Sequence, residues 1–143
     1  MVDSDLLIRR FVENDVEAKS RLNSHLSKLN LSKKEFFIIT DYCLNDVLTA
    51  ATKKGISQVE IIENLLPPYT AYCHLFVCGS GIFKKCADSL VEFRKYDLSL
   101  TDWANLWVMA MEGFKLLISD KTKIDNVLIE PRLANDFGHI KRA

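Results

Sequence analysis

Hydrophobic and polar positions change their spacing several times along the chain, and each change marks an element. Residues 5–12 and 16–29 carry helical spacing. The run EFFIIT, residues 35–40, is aromatic and β-branched with a continuous apolar centre, the mark of a buried strand. Helical spacing returns over 41–54, where Leu44, Val47, Leu48 and Ala51 form one apolar stripe. A further helix is predicted over 57–65, and LLPPYT, residues 65–70, interrupts it as a loop. YCHLFVC, residues 72–78, is a second strand. Residues 82–94 are a helix with Phe83, Cys86, Ala87, Leu90 and Val91 on one face. The stretch 96–121 holds a helix followed by the strand KLLIS, and NVLIEP, residues 126–131, adds an edge strand. Met1 and Val2 read as the end of a short first strand.

Strands alternating with helices predict an α/β fold with a mainly parallel sheet. Strands of such a sheet are covered on both faces, which accounts for the unbroken runs FFII and LLI. Sites in this class lie beyond the carboxyl ends of the strands, so acids placed there carry the most information.

Composition narrows the picture. At 143 residues the chain suits a single domain over 1–143 with a substantial core. Nineteen basic residues balance nineteen acidic ones, so no overall field directs the protein to nucleic acid or to a membrane. No apolar run approaches the ~20 residues of a membrane span, and MVDSDLLIRR lacks the basic start and apolar stretch expected of a signal peptide. Cys43, Cys73, Cys78 and Cys86 lie in apolar surroundings without CxxC spacing, which predicts core thiols rather than zinc ligands. A reducing, cytoplasmic setting follows.

Four acids fall near one end of the predicted sheet. Asp3 follows the first apolar pair, Asp46 lies beyond FFII, Asp102 opens a helix and Asp120 closes the strand LLIS. Each has a plainer role: Asp3 and Asp102 as helix caps, Asp46 as a solvated position, Asp120 as a turn residue. Crowded carboxylates repel unless a cation neutralises them, and hard oxygen ligands suit Mg²⁺ or Mn²⁺. An ion held this way can activate water for attack on a phosphodiester.

The order and setting of these acids resemble those of PIN-domain ribonucleases. VDSDLLIRRF is similar to the family's first motif, with Asp3, Ser4 and Asp5 in its polar places. ITDYCLNDVLTAATKKG is similar to the second, with Asp46 as its acid. LSLTDWANLWVMA is similar to the third, with Asp102, and LLISDK to the strand-end motif, with Asp120. The likeness runs from Val2 to about Asp125. It implies a three-layer α/β/α sandwich and a metal-dependent endoribonuclease holding Mg²⁺ or Mn²⁺ on Asp3, Asp46, Asp102 and Asp120. Ser4, Asp5, Thr101 and Ser119 would surround these acids. The chain departs from the pattern in having Asp46 where glutamate is usual, a very short first strand, and DKTKID after the last motif, where the place of Asp125 is open.

RNA needs cations against its phosphates. Arg9 and Arg10, on the helix after Asp3, are the best placed. Lys33–Lys34, Lys53–Lys54, Lys84–Lys85 and the tail HIKRA are further candidates. Trp103 and Trp107 share an apolar stripe with Leu106, Ala110 and Met111, which predicts a core or dimer contact rather than base stacking. Among PIN domains the length resembles the toxins of VapBC-type toxin–antitoxin pairs, which implies a homodimer and an antitoxin over the acidic pocket. The alternative is a catalytically degenerate PIN-like interaction module, motivated by Asp46 and the short first strand.

Overall fold

The computed structural model describes residues 1–30, 33 and 35–143, and over these the chain is mixed α/β. Eight α-helices and four short strands occur among them. The helices are α1 (Ser4–Phe11), α2 (Val16–Leu26), α3 (Asp41–Lys53), α4 (Gln58–Leu65), α5 (Ser80–Glu92), α6 (Leu100–Glu112), α7 (Lys123–Leu128) and α8 (Ala134–Phe137). The strands are β1 (Phe37–Thr40), β2 (Cys73–Phe76), β3 (Leu116–Leu117) and β4 (Lys141–Arg142).

Every strand pairing is parallel. β1 pairs with β2, Phe37 opposite Cys73, and β3 pairs with β4, Leu116 opposite Lys141. The first residues of the chain touch both two-stranded sheets. Val2 N donates to Ile38 O, Asp3 N donates to Ile118 O, and Ile118 N donates to Met1 O. Val2 itself forms a parallel bridge to Ile118. The expected first strand is thus one bridge long.

Neighbouring residues on these strands enter different cores. Phe37 and Ile39 join a cluster with Leu6, Leu7, Val47 and Ile61, drawn from α1, α3 and α4. Ile38, between them, packs against the cluster that holds Trp103 and Leu106 of α6 and Phe137 of α8. Met1 and Leu117 belong to the second cluster, whereas Val2 and Ile118 belong to the first. This period-two division is what a strand covered on both faces produces.

The helices largely keep their predicted places because their caps are local. Asp15 accepts from the amides of Glu17 and Ala18 at the start of α2, and Thr40 accepts from Cys43 N at the start of α3. Gly113 ends α6 with φ +72°, a left-handed position that glycine enters without a Cβ clash. Trp103 and Trp107 are buried, as their stripe predicts, and Trp107 Nε1 donates to Ser89 Oγ.

Three expectations are corrected. NVLIEP is no strand: its first residues complete α7, where Ile124 and Val127, three apart, turn inward and Ile129 stays exposed. The last strand is instead the polar pair Lys141–Arg142, held because Lys141 N donates to Lys115 O and Ala143 N to Leu117 O. In α5 the buried face is Ile82, Cys86 and Ser89, while Phe83 and Val91 point outward, as does Met111 of α6. Ser89 can be inside because its hydroxyl donates to Lys85 O and accepts from Trp107.

Candidate functional site

Three helix N-termini meet at the carboxyl ends of the strands. Asp3 caps α1, with Oδ1 accepting from Ser4 N at 2.8 Å. Asp102 sits in the first turn of α6 and completes a capping box with Ser99. Its Oδ2 accepts from Ser99 N at 2.8 Å, which leaves Oδ1 for other partners. Asp46 lies in the second turn of α3, and its Oδ2 accepts from Ser4 Oγ at 3.2 Å. The positive ends of helix dipoles favour this concentration of negative charge.

Asp3 is fully buried and fixed from several sides. Ser119 Oγ donates to its Oδ2 at 2.7 Å, and Asn105 Nδ2 donates to its Oδ1 at 3.3 Å. Asn105 is oriented in turn by Thr40, whose hydroxyl donates to Asn105 Oδ1 at 3.1 Å. Asp102 and Thr101 are buried on α6 beside it.

A lysine stands among the acids. Lys121 Nζ lies 2.6 Å from Asp102 Oδ1, 3.4 Å from Asp5 Oδ2 and 3.6 Å from Asp3 Oδ2. Its backbone amide donates to Ser119 Oγ, so the same hydroxyl that holds Asp3 also seats the lysine. Burial works against the ammonium, but Asp3, Asp102 and Asp5 outweigh it and raise the Lys121 pKa. Asp3 is pushed the other way, away from charge. Burial raises its pKa, Lys121 opposes that, and Asp102 adds to it. The two shifts differ because Asp3 is fully enclosed and is the farthest of the three acids from the ammonium, which sits closest to Asp102.

Asp120 forms no ion pair with the Lys121 ammonium, although it shares a cavity of about 390 Å³ with Asp5, Ile8, Arg9 and Glu13. It faces outward, where the guanidinium groups of Arg9 and Arg21 close on its two oxygens. The chain leaving β3 alternates, turning Ser119 and Lys121 toward Asp3 and Asp120 away. Arg9 is also committed, to Asp15 at 2.8 Å, and Arg10 lies over the Phe11 ring. Asp125 accepts both bonds of a forked pair from Arg142. Of the other paired cations, Lys84 faces Asp88, and Lys34 lies outside the described residues.

Two residues of the site carried weak signals. Asn105 is a lone amide on the apolar stripe of α6, three residues after Asp102 and therefore on its face. Lys121 is two residues beyond Ser119, which places both on one side of an extended segment.

The pocket offers carboxylate and hydroxyl oxygens, the donor type that Mg²⁺ and Mn²⁺ take. Asp3, Asp5 and Asp102 set three carboxylates against one ammonium, so negative charge remains in excess when all are ionised. No group of three or more His, Cys, Asp or Glu among the described residues is disposed to hold a metal ion. A zinc site on Cys73, His74, Cys78 and Cys86 is not formed among them either. Three of the four thiols are buried, and burial pushes Cys73 up to about 12 and Cys86 to about 11. A larger cavity of about 530 Å³ opens at the other end of the strands. Its lining is mainly apolar, including Met1, Phe36, Phe37, Phe114 and Leu116, and the acids lie outside it.

No family model matches the chain, and no curated protein and no solved structure matches it. No helix among the described residues is long and apolar enough to cross a membrane.

Proposed function

We propose that the protein is a PIN-like ribonuclease, hydrolysing RNA phosphodiesters with Mg²⁺ or Mn²⁺. The observation that carries this reading is the approach of Asp3, the cap of α1, and Asp102, in the first turn of α6, to one Lys121 ammonium at the carboxyl ends of parallel strands, with Asp46 of α3 joined to them through Ser4. The finer fold that goes with it is a three-layer α/β/α sandwich. Its support is the Met1–Asp3 segment, hydrogen-bonded to both small sheets, and the division of strand side chains between two helical cores. In this reading the central parallel sheet runs β2, β1, the first residues, β3, β4.

Asp3 and Asp102 Oδ1 would hold the ion directly, with Asp5 and Asp46 at its margin. The bound ion would supply charge for a phosphate oxygen and acidify an attacking water. The chain's own residues do the positioning. Ser119, Asn105 and Ser4 N fix the Asp3 carboxylate, and the capping box restricts Asp102 to one outward oxygen. The N-termini of α1, α3 and α6 add a favourable field for an anionic substrate. Asp120 stands outside this set, as an anchor for Arg9 and Arg21. A toxin of a toxin–antitoxin pair, acting in the cytoplasm as a homodimer restrained by an antitoxin, is the biological setting proposed with it.

Cleavage of single-stranded RNA in Mn²⁺, compared between wild type, Asp3→Asn and Asp102→Asn, tests the reading. Activity in the wild type that falls at least about 100-fold in both variants is expected. Full activity in Asp102→Asn sinks it. The second reading is a binding module without catalysis. Lys121 favours it, because a resident ammonium already compensates part of the acidic charge. That reading expects RNA cleavage to be absent from the wild type in either metal.

A further inference from the structure

We propose that the cavity at the amino ends of the strands is a binding site for a small amphipathic carboxylate, its apolar body inward and its anionic head at the mouth. Medium-chain fatty acids are the simplest members of that class. The cavity, of about 530 Å³, lies within the roughly 300–1,000 Å³ range of pockets that enclose small molecules. Residues at the starts of β1 and β3 line it, so it opens at the opposite end of the strands from the acids and stands apart from the ribonuclease reading.

The lining is graded from floor to mouth. Met1, Phe37 and Ile118 are buried, at 9%, 3% and 3% exposure. Phe114 is half-buried, whereas Phe36 and Leu116 reach solvent. The Phe36 ring is held against His74, with centroids 4.0 Å apart, so this part of the wall is in place without a ligand. Apolar surface facing such a cavity is what an alkyl chain covers, with a gain proportional to the area removed from water.

The mouth is positive. Lys28 and Lys115 are exposed there, and among the described residues neither ammonium has an ion-pair partner. Glu35 is the one acid among the described lining residues, and its Oε2 already accepts from Asn30 N at 2.8 Å. His25 is half-buried beside them. Its pKa is lowered, by burial first and then by the charges of Lys28 and Arg21, so at neutral pH it adds an uncharged ring. Two ammonium groups against one engaged carboxylate select an anionic head over a neutral or cationic one.

The test is calorimetric titration of hexanoate, octanoate and decanoate, each below its micelle concentration, into the full chain, with thermal melts as a second readout. Affinity should rise roughly fourfold for each added methylene. Octanol should bind more weakly than octanoate. The double variant Lys28→Gln/Lys115→Gln should lose about tenfold in octanoate affinity and keep its octanol affinity. Leu116→Glu, which sets a carboxylate on the wall, should abolish decanoate binding. These substitutions change exposed side chains, so the unliganded variants should melt as wild type does.

No binding of decanoate to the wild type by either readout overturns the proposal. Equal affinity for octanoate and octanol overturns it too, as does an unchanged octanoate affinity in the lysine double variant, because the mouth then selects no anion. Decanoate binding that persists in Leu116→Glu places the ligand elsewhere and overturns this site.

Discussion

Two charged clusters lie side by side where the chain leaves β3, and they are built on opposite terms. Inward from Ser119, the carboxylates of Asp3, Asp5 and Asp102 face one ammonium, with Asp3 and Asp102 almost wholly out of water. Outward, Asp120 meets Arg9 and Arg21, whose side chains remain more than a quarter exposed. Arg21 and Arg142 there also donate to main-chain carbonyls, Arg21 to Ser119 O and Ala143 O and Arg142 to Ser119 O. The outer cluster ties the last residues to the body of the fold with charges nearly balanced. The inner one keeps negative charge in excess under burial, an arrangement that opposes folding. Structural ion pairs have no need of that imbalance, which is why the inner cluster, and not the outer one, carries the functional proposal.

The sharpest way to break the comparison is to remove the inner cation. Lys121→Met should cost about 2 kcal/mol in chemical denaturation without metal, less than a fully buried pair because the ammonium is partly hydrated. Asp102→Ala should cost about 1.5 kcal/mol, through the capping box as well as the lost partner of Lys121. Restoring the cap elsewhere does not replace the charge, so its Mn²⁺ titration should vanish.

Asp3→Asn should act in the opposite direction and stabilise by about 1 kcal/mol at neutral pH. The sign follows from its raised pKa, which burial causes first. As pH falls, folded Asp3 takes up a proton before the unfolded chain does. Wild-type stability gains from this group across the interval between the raised value and the ordinary 3.8, and above that interval the whole penalty is present. The Lys121 contribution does not vary there: its raised pKa keeps it fully present below the ordinary lysine value of 10.5. Denaturation midpoints at mildly acidic and neutral pH should therefore converge in Asp3→Asn. A steeper pH dependence in the variant would refute the account.

Asp120→Asn carries the smallest effect. A loss of about 0.5 kcal/mol is expected, shrinking in high salt, with Mn²⁺ binding and any RNA cleavage unaltered. Loss of cleavage with metal binding intact would move Asp120 into the site and end the distinction between the two clusters.

Much of the fold was legible because its signals are local. Thr40 beside the apolar run, Ser99 with Asp102, and Gly113 after α6 act on residues within a turn of themselves. Apolar stripes marked α3 and α6, and continuous runs marked β1 and β3. Periodicity failed where a run was short. Ile124 and Val127 are spaced as one helical turn, yet NVLI also has the composition of a strand. Lys141–Arg142 carries no strand signal at all, and is a strand only because β3 presents free partners to it.

The site divides in the same manner. The placing of Asp3 and Asp102 at helix starts was readable, since a capping acid is fixed in place by its own element. Which side chains then meet was not readable, because that depends on rotation about each element and on what its neighbours leave uncovered. Asp120 and Lys121 are adjacent in sequence, and one turn of the backbone sends the acid to arginines and the cation among acids. Asn105 reaches Asp3 across 102 residues of chain through a helix face that Trp103 and Leu106 bury. Hydrophobic spacing and caps set the elements within about one turn of chain. Charge pairing over long separations was settled when those elements packed, since burial selects partners by geometry and a linear pattern holds no distances between elements.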